Sequence, residues 1–334
     1  MKSQRFLKFS VLAFAAQFLL SLSLTPLFAA DKVIIRMDWA PSGVHAPFHL
    51  ALAKGWFRDA GIDVELQDGK GSINTLQLLA TGEADIGEVT TGIVPIARES
   101  GMRVKAVLGL ARRSALSVLV PQGSSMRAAE DLRGKRIVLF AASPWTPFVD
   151  TFLKSAGMKR SDVQMVMVDP AALLPTYSSK QVDAFMTLGP GAAHVLKSRP
   201  SRAIDADQYG VIFPDHGLVV NEDFIKSRGP VLKKVLEIAV KAWKYVLDGH
   251  EDEAMEAILA NRPNHNLDRD VLRAHWDLYK AYLDTPNTTG KPFGWQSDKD
   301  WEAANKTLVG AGVIKSGKQI SDFYTNDFVP DASY

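Results

Sequence analysis

Cysteine is absent from the 334-residue chain. That excludes a disulfide framework, thiolate metal sites, a thiol nucleophile and a lipidated N-terminal cysteine. An excess of charge is missing too. The chain has 39 Lys and Arg against 37 Asp and Glu, and Lys2, Arg5 and Lys8 all fall in the first thirty positions. The remainder is close to neutral and offers nucleic acid or another polyanion nothing to hold. After Leu24 no apolar run approaches the roughly 20 residues that a spanning helix needs. There is no Gly-x-Ser-x-Gly elbow and no phosphate-binding P-loop. Gly69-Lys70-Gly71-Ser72 is only a glycine-rich turn. His45 and His49 are four apart, but no third ligand accompanies them, so no metal site is expected. Neither catalysis nor a cofactor is expected of such a chain.

What is present begins with a basic start, an apolar run from about Val11 to Leu24, and small residues Ala29 and Ala30. This pattern predicts a secretory signal peptide over 1–30 and a mature chain starting near Asp31. An uncleaved anchor is the alternative, although the run is short for a span. An exported chain without cysteine fits a periplasm. About 300 further residues suffice for two domains.

The stretch from Arg36 to Phe57 organises the rest. It follows a β-branched run, Val33 to Ile35, and breaks at Pro41 and Gly43 before a helix with Pro47 in its first turn. Strands are expected at Ile62–Leu66, Ala84–Glu88 and Val104–Leu110, with helices at Ile73–Ala80 and Thr91–Ser100 between them. Alternation of this kind predicts a doubly wound parallel sheet. Leu116–Val120 reads as a strand leaving that lobe, and a second β/α series follows: strands Arg136–Phe140, Val163–Val168 and Val182–Thr187, and helices Thr146–Ala156, Ala171–Ser178 and Gly191–Leu196. Leu218–Val220 reads as the return strand. Beyond Gly229 the pattern is helical, at Val231–Leu247, Glu253–Ala260, Leu267–Leu283 and Lys299–Leu308. Lobe 1 is thus expected to comprise 31–117 and 218–334, lobe 2 to comprise 118–217, and the cleft between them to close on a ligand.

Open α/β sheets bind ligands at the carboxyl ends of their strands. The candidates there are Trp39 and His45 in the first loop and Ser72 at a helix start, where it caps the helix or meets ligand. Glu88 and Thr90 follow the third strand, and Ser114 precedes the exit strand. Lobe 2 offers Ser143, Trp145 between two prolines, and Thr187, while His216 stands by the return strand. Trp39 and Trp145 each follow a lobe's opening strand, which predicts an aromatic ligand held between them; packing in the core is the alternative for both.

Several short segments in fixed order carry a resemblance. They are Asp38-Trp39-x-Pro41 with His45-Ala46, Ala53-Lys54-Gly55-Trp56-Phe57, Gly71-Ser72, Gly82 to Gly87, and Val182-Asp183-Ala184. Gly294-Trp295 and Tyr324 to Phe328 follow near the C-terminus. Together they resemble the NMT1/THI5-like family over nearly all of the expected mature chain. The resemblance implies a two-lobed periplasmic binding protein of type II. It also implies capture of a small molecule between the lobes and delivery to an ABC permease and ATPase at the inner membrane, with a monomer expected. Family members take pyrimidine precursors of thiamine, riboflavin, alkanesulfonates, taurine, nitrate or bicarbonate. The Trp39 and His45 segment looks most like the thiamine-precursor branch, and a small heteroaromatic ligand is favoured. Met186 to Gly191 departs from the Tyr-Trp-Asn-Trp-Glu-like segment of that branch. A small organic anion is therefore the alternative ligand, and a periplasmic sensor partner the alternative role. Pyrimidine synthases in the family use a cysteine-rich motif that this chain lacks.

Overall fold

The computed structural model describes residues 30–315 and 318–331. The expected signal peptide therefore lies, up to residue 29, outside the described residues. Among the described residues no helix is long and apolar enough to cross a membrane.

The fold is α/β with two five-stranded sheets. The first contains β1 (Asp31–Arg36), β2 (Ile62–Gln67), β3 (Ile86–Thr90) and β4 (Val104–Gly109). The second contains β5 (Leu116–Pro121), β6 (Arg136–Leu139), β7 (Gln164–Met167), β8 (Ala184–Leu188) and β9 (Ser201–Asp205). The last strand, β10 (His216–Asn221), returns to the first sheet. The orders are β2-β1-β3-β10-β4 and β7-β6-β8-β5-β9. Neither sheet is wholly parallel. β10 runs antiparallel between β3 and β4, and β5 runs antiparallel between β8 and β9. The exchanged strands cause this, because each enters the other lobe's sheet from outside its own βα series. β5 already belongs to the second sheet at Leu116, so the chain passes from the first sheet to the second within 110–115.

The local rules explain the elements that carry the cleft. In β1, Val33 and Ile35 are buried on alternate positions, and β3 is buried throughout because it is central and covered on both faces. Gly71, at φ 114°, is the residue before the helix Ser72–Thr81. Ser72 is consequently the first helical residue rather than the expected N-cap, and its hydroxyl is left for other partners. The expected helix at Gly191–Leu196 is a 3-10 segment, Gly189–Val195. Upstream of Val231 the helix extends back to Glu222, across a break at Arg228 beside Pro230.

The helix Arg269–Tyr279 positions the site most directly. It packs on the first-lobe turn Gly43–His45 and on the second-lobe segment Gly189–Val195. A Cβ on Gly43 would lie 2.1 Å from Leu272 O, so only glycine lets the turn approach the helix. The two crossing segments are tied to each other, since Arg113 Nε donates to Asp207 Oδ2 at 2.9 Å.

Candidate ligand-binding cleft

The carboxyl ends of β1 and β3 and the start of β10 converge on Asp38. Its Oδ2 accepts from His216 Nε2 at 2.9 Å and from Ser72 Oγ at 3.5 Å, and its Oδ1 accepts from His45 Nε2 at 3.3 Å. Ser72 Oγ in turn accepts from Thr90 N at 3.1 Å. Behind His45 lies Glu88, whose Oε2 is 3.0 Å from the same Nε2 as an ion pair without hydrogen-bond alignment. His216 Nδ1 meets the Tyr279 hydroxyl, which donates to Asp215 Oδ2 at 3.3 Å. Asp38, His45, Glu88, Asp215, His216 and Tyr279 are all buried.

Burial alone would raise the Asp38 carboxyl, but His216 and His45 hold it well below the usual carboxylate range. Burial likewise opposes protonation of His45, while Glu88 and Asp38 favour it. His216 is pushed well above its ordinary value by Asp38 and Asp215, again against burial. Asp215 is raised, chiefly by burial. The outcome is an ionised carboxylate held between two imidazoles.

Asp38, His45 and Glu88 bring ligand atoms within 4.8 Å of one another, a spacing that could suit a metal ion. The Ser42 amide, however, donates to His45 Nδ1 at 3.2 Å. The imidazole proton therefore sits on Nε2, aimed at the two carboxylates, where a metal would need a lone pair. The trio fits an ion-paired network better than a metal centre.

Above Asp38 a cavity of about 850 Å³, open mouth included, separates the lobes. The first lobe contributes Asp38, Trp39, Ser72, His216, His275 and Tyr279; the second contributes Phe140, Ser143, Trp145, Phe185, Thr187 and His194 among others. Six candidates from the sequence are thus brought together: Trp39, Ser72, Ser143, Trp145, Thr187 and His216. His45, Glu88 and Thr90 lie beneath the wall rather than on it, and His45 touches it through Asp38. Ser114 lies elsewhere, lining a separate cavity with Arg112, Arg113 and Asp207.

The pairing of Trp39 with Trp145 is a correction. Trp145 is fully buried, its Nε1 donates to Thr187 O at 2.7 Å and Ser117 O at 3.2 Å, and its ring meets the edge of Phe152 at 5.1 Å. Its place is the floor of the second lobe. The aromatic that meets Trp39 is Phe140, 5.3 Å away between ring centroids. Sequence reasoning passed over Asp38, although it shares Trp39's loop, and missed Phe140, His194, His275 and Tyr279. The spacing of His275 and Tyr279, four apart on a helix, is the signal that could have linked those two.

The model of the family described as NMT1/THI5 like matches residues 42–254. This chain belongs to that family. Within reach of it by sequence is the formylaminopyrimidine-binding protein of Halalkalibacterium halodurans, 25% identical over 82% of this chain and 83% of the relative. The 4-amino-5-hydroxymethyl-2-methylpyrimidine phosphate synthase THI5 of Saccharomyces cerevisiae is 27% identical, over 66% of this chain and 68% of the relative. Among solved structures, the alkanesulfonate-binding protein SsuA from Xanthomonas axonopodis pv. citri, bound to MOPS, superposes with a TM-score of 0.68 at 16% identity. That match covers 89% of this chain and 99% of the other. The names of these similar proteins include binders and a synthase, so the site must separate those roles.

Proposed function

We propose that this chain is the periplasmic solute-binding component of an ABC importer, and that it captures a small heteroaromatic bearing N–H donors, of the aminopyrimidine kind. The observation that carries the reading is the charge of the cleft. Among the described residues that line it there is no lysine or arginine, and the carboxylate facing in is Asp38. His216 is cationic, but both of its ring nitrogens are engaged, by Asp38 on one side and by Tyr279 and Asp215 on the other. A sulfonate or nitrate would lose its water with no free cation to receive it. An amino-substituted ring instead donates to Asp38 and is enclosed where Trp39 closes on Phe140. Charge-assisted hydrogen bonds of that type are roughly twice as strong as neutral ones.

Binding without turnover follows from the same inventory. No thiol is present, and His45 and His216 are tied to carboxylates instead of a nucleophile. The ligand is then handed to a permease and its ATPase. Calorimetric titration of ligand-free protein tests this. The 4-amino-5-hydroxymethyl-2-methylpyrimidine probe is expected to bind with a Kd of about 1 µM or tighter, near −8 kcal/mol, and to be recovered unchanged. Ethanesulfonate and nitrate are expected to give no heat. Binding of an anion in place of the pyrimidine, or a product formed in excess of protein, would overturn the reading.

A further inference from the structure

Two histidines face the cleft from opposite lobes and take no part in the Asp38 network. His275 lies on the helix Arg269–Tyr279 and His194 on the 3-10 segment Gly189–Val195, with ring centroids 5.0 Å apart. His275 is 6% exposed, and its Nδ1 is buried without a hydrogen-bond partner. An orphaned polar atom in a buried wall is costly unless something arrives to satisfy it. Both rings line the cavity. Burial lowers His194 to about 4 and His275 well below its ordinary value, and each is further lowered by neighbouring histidines. Each ring therefore presents one donor and one acceptor near neutral pH. Tyr279, which holds His216 against Asp38, is four residues further along the same helix, about 6 Å in rise.

We infer that His275, completed by His194 when the lobes meet, is a second recognition point in the cleft, for an uncharged hydrogen-bonding substituent such as a hydroxyl or carboxamide carried on the same ring as the group that meets Asp38. The inference rests on the aminopyrimidine reading above and specifies what else the ring must carry. An uncharged group suits two neutral imidazoles, because an anion there would have to draw protons onto a pair held neutral by burial. A purely apolar substituent would leave Nδ1 of His275 unsatisfied in the closed cleft.

The test compares two probes that differ only at that substituent: 4-amino-5-hydroxymethyl-2-methylpyrimidine and 4-amino-2,5-dimethylpyrimidine, titrated into the ligand-free protein. The wild type is expected to prefer the hydroxymethyl probe by about tenfold, the worth of one hydrogen bond at a buried group. In His275→Leu the ratio is expected to fall to about one, and in His275→Gln to recover in part. A wild-type ratio near one overturns the second recognition point while leaving the aminopyrimidine reading in place. So does an unchanged ratio in a His275→Leu protein that retains its near-UV circular dichroism. Failure of both probes to bind the wild type overturns the two readings together.

Discussion

On the first lobe's side of the cleft stand Asp38, Ser72, His216 and Tyr279, joined to one another by hydrogen bonds that continue into His45 and Asp215. On the second lobe's side stand Phe140, Leu173, Leu174, Phe185 and Met186, with Ser143 and Thr187 their main polar company. The first wall is a network in which each group fixes its neighbour's protonation and orientation. The second is apolar surface continuous with that lobe's own core, which includes Leu119, Val138 and Tyr177. Trp39 crosses between them and packs on the second lobe's cluster. The difference assigns separate tasks. The first wall discriminates by charge and hydrogen bonding, where an unmatched partner is expensive. The second supplies shape and dry surface, where small changes of size cost little.

The first wall should fail steeply when its centre is removed. In Asp38→Leu the cationic His216 loses the carboxylate that balances it, leaving buried charge unpaired. Breaking such a pair costs about 3–5 kcal/mol. A melting temperature lower by roughly 6 °C or more is expected for a chain of this size, together with loss of measurable ligand binding. A variant that melts with the wild type would show that His216 simply deprotonates, and that the network is looser than its distances suggest.

The second wall should respond to loss of volume. Trp145→Ala removes a fully buried indole and strips the donor from Ser117 O and Thr187 O, at a cost of about 3–5 kcal/mol for the cavity alone. Trp145→Phe keeps most of the volume and loses the donor, so a smaller drop of about 1–2 kcal/mol is expected. Urea titration of the two variants checks the order. Equal destabilisation would mean that the hydrogen bonds, not the packing, hold this floor in place.

The same contrast explains what could be read from the sequence. Trp39, Ser72 and His216 were legible because they flank strands and helices at the carboxyl edge of a sheet, a placement that local pattern fixes. Glu88 and Thr90 flank Val89 on a strand buried on both faces, so alternation could not say which residue faces the cleft and which the core. His275 and Tyr279 reach the site because their helix packs across to Gly189–Val195 and against the Gly43 turn, contacts far apart in the chain that no local window contains. Phe140 carried the signal of a strand's last residue and nothing more. Trp145 shows the limit from the other side: local pattern left a proline-flanked aromatic open between ligand face and core, and its N–H finds two carbonyls inside the lobe.

The contact that joins the two walls gives the smallest effect and the finest test. Trp39 and Phe140 lie on different lobes with tilted rings 43° apart. Their interaction contributes on the order of 0.5–1.5 kcal/mol beyond area burial, and it exists only when the lobes are together. Trp39→Ala and Phe140→Ala should each weaken ligand binding by about tenfold, near 1.4 kcal/mol, with little change in the melting temperature of the ligand-free protein. Each truncation removes the same inter-lobe contact, so the double variant should be no more than about threefold weaker than either single one, a clear departure from additivity. A hundredfold loss in the double variant would instead mean that each ring touches the ligand independently. In that case the second wall contributes its own recognition rather than a surface for closure, and the division of tasks between the lobes would have to be redrawn around Phe140.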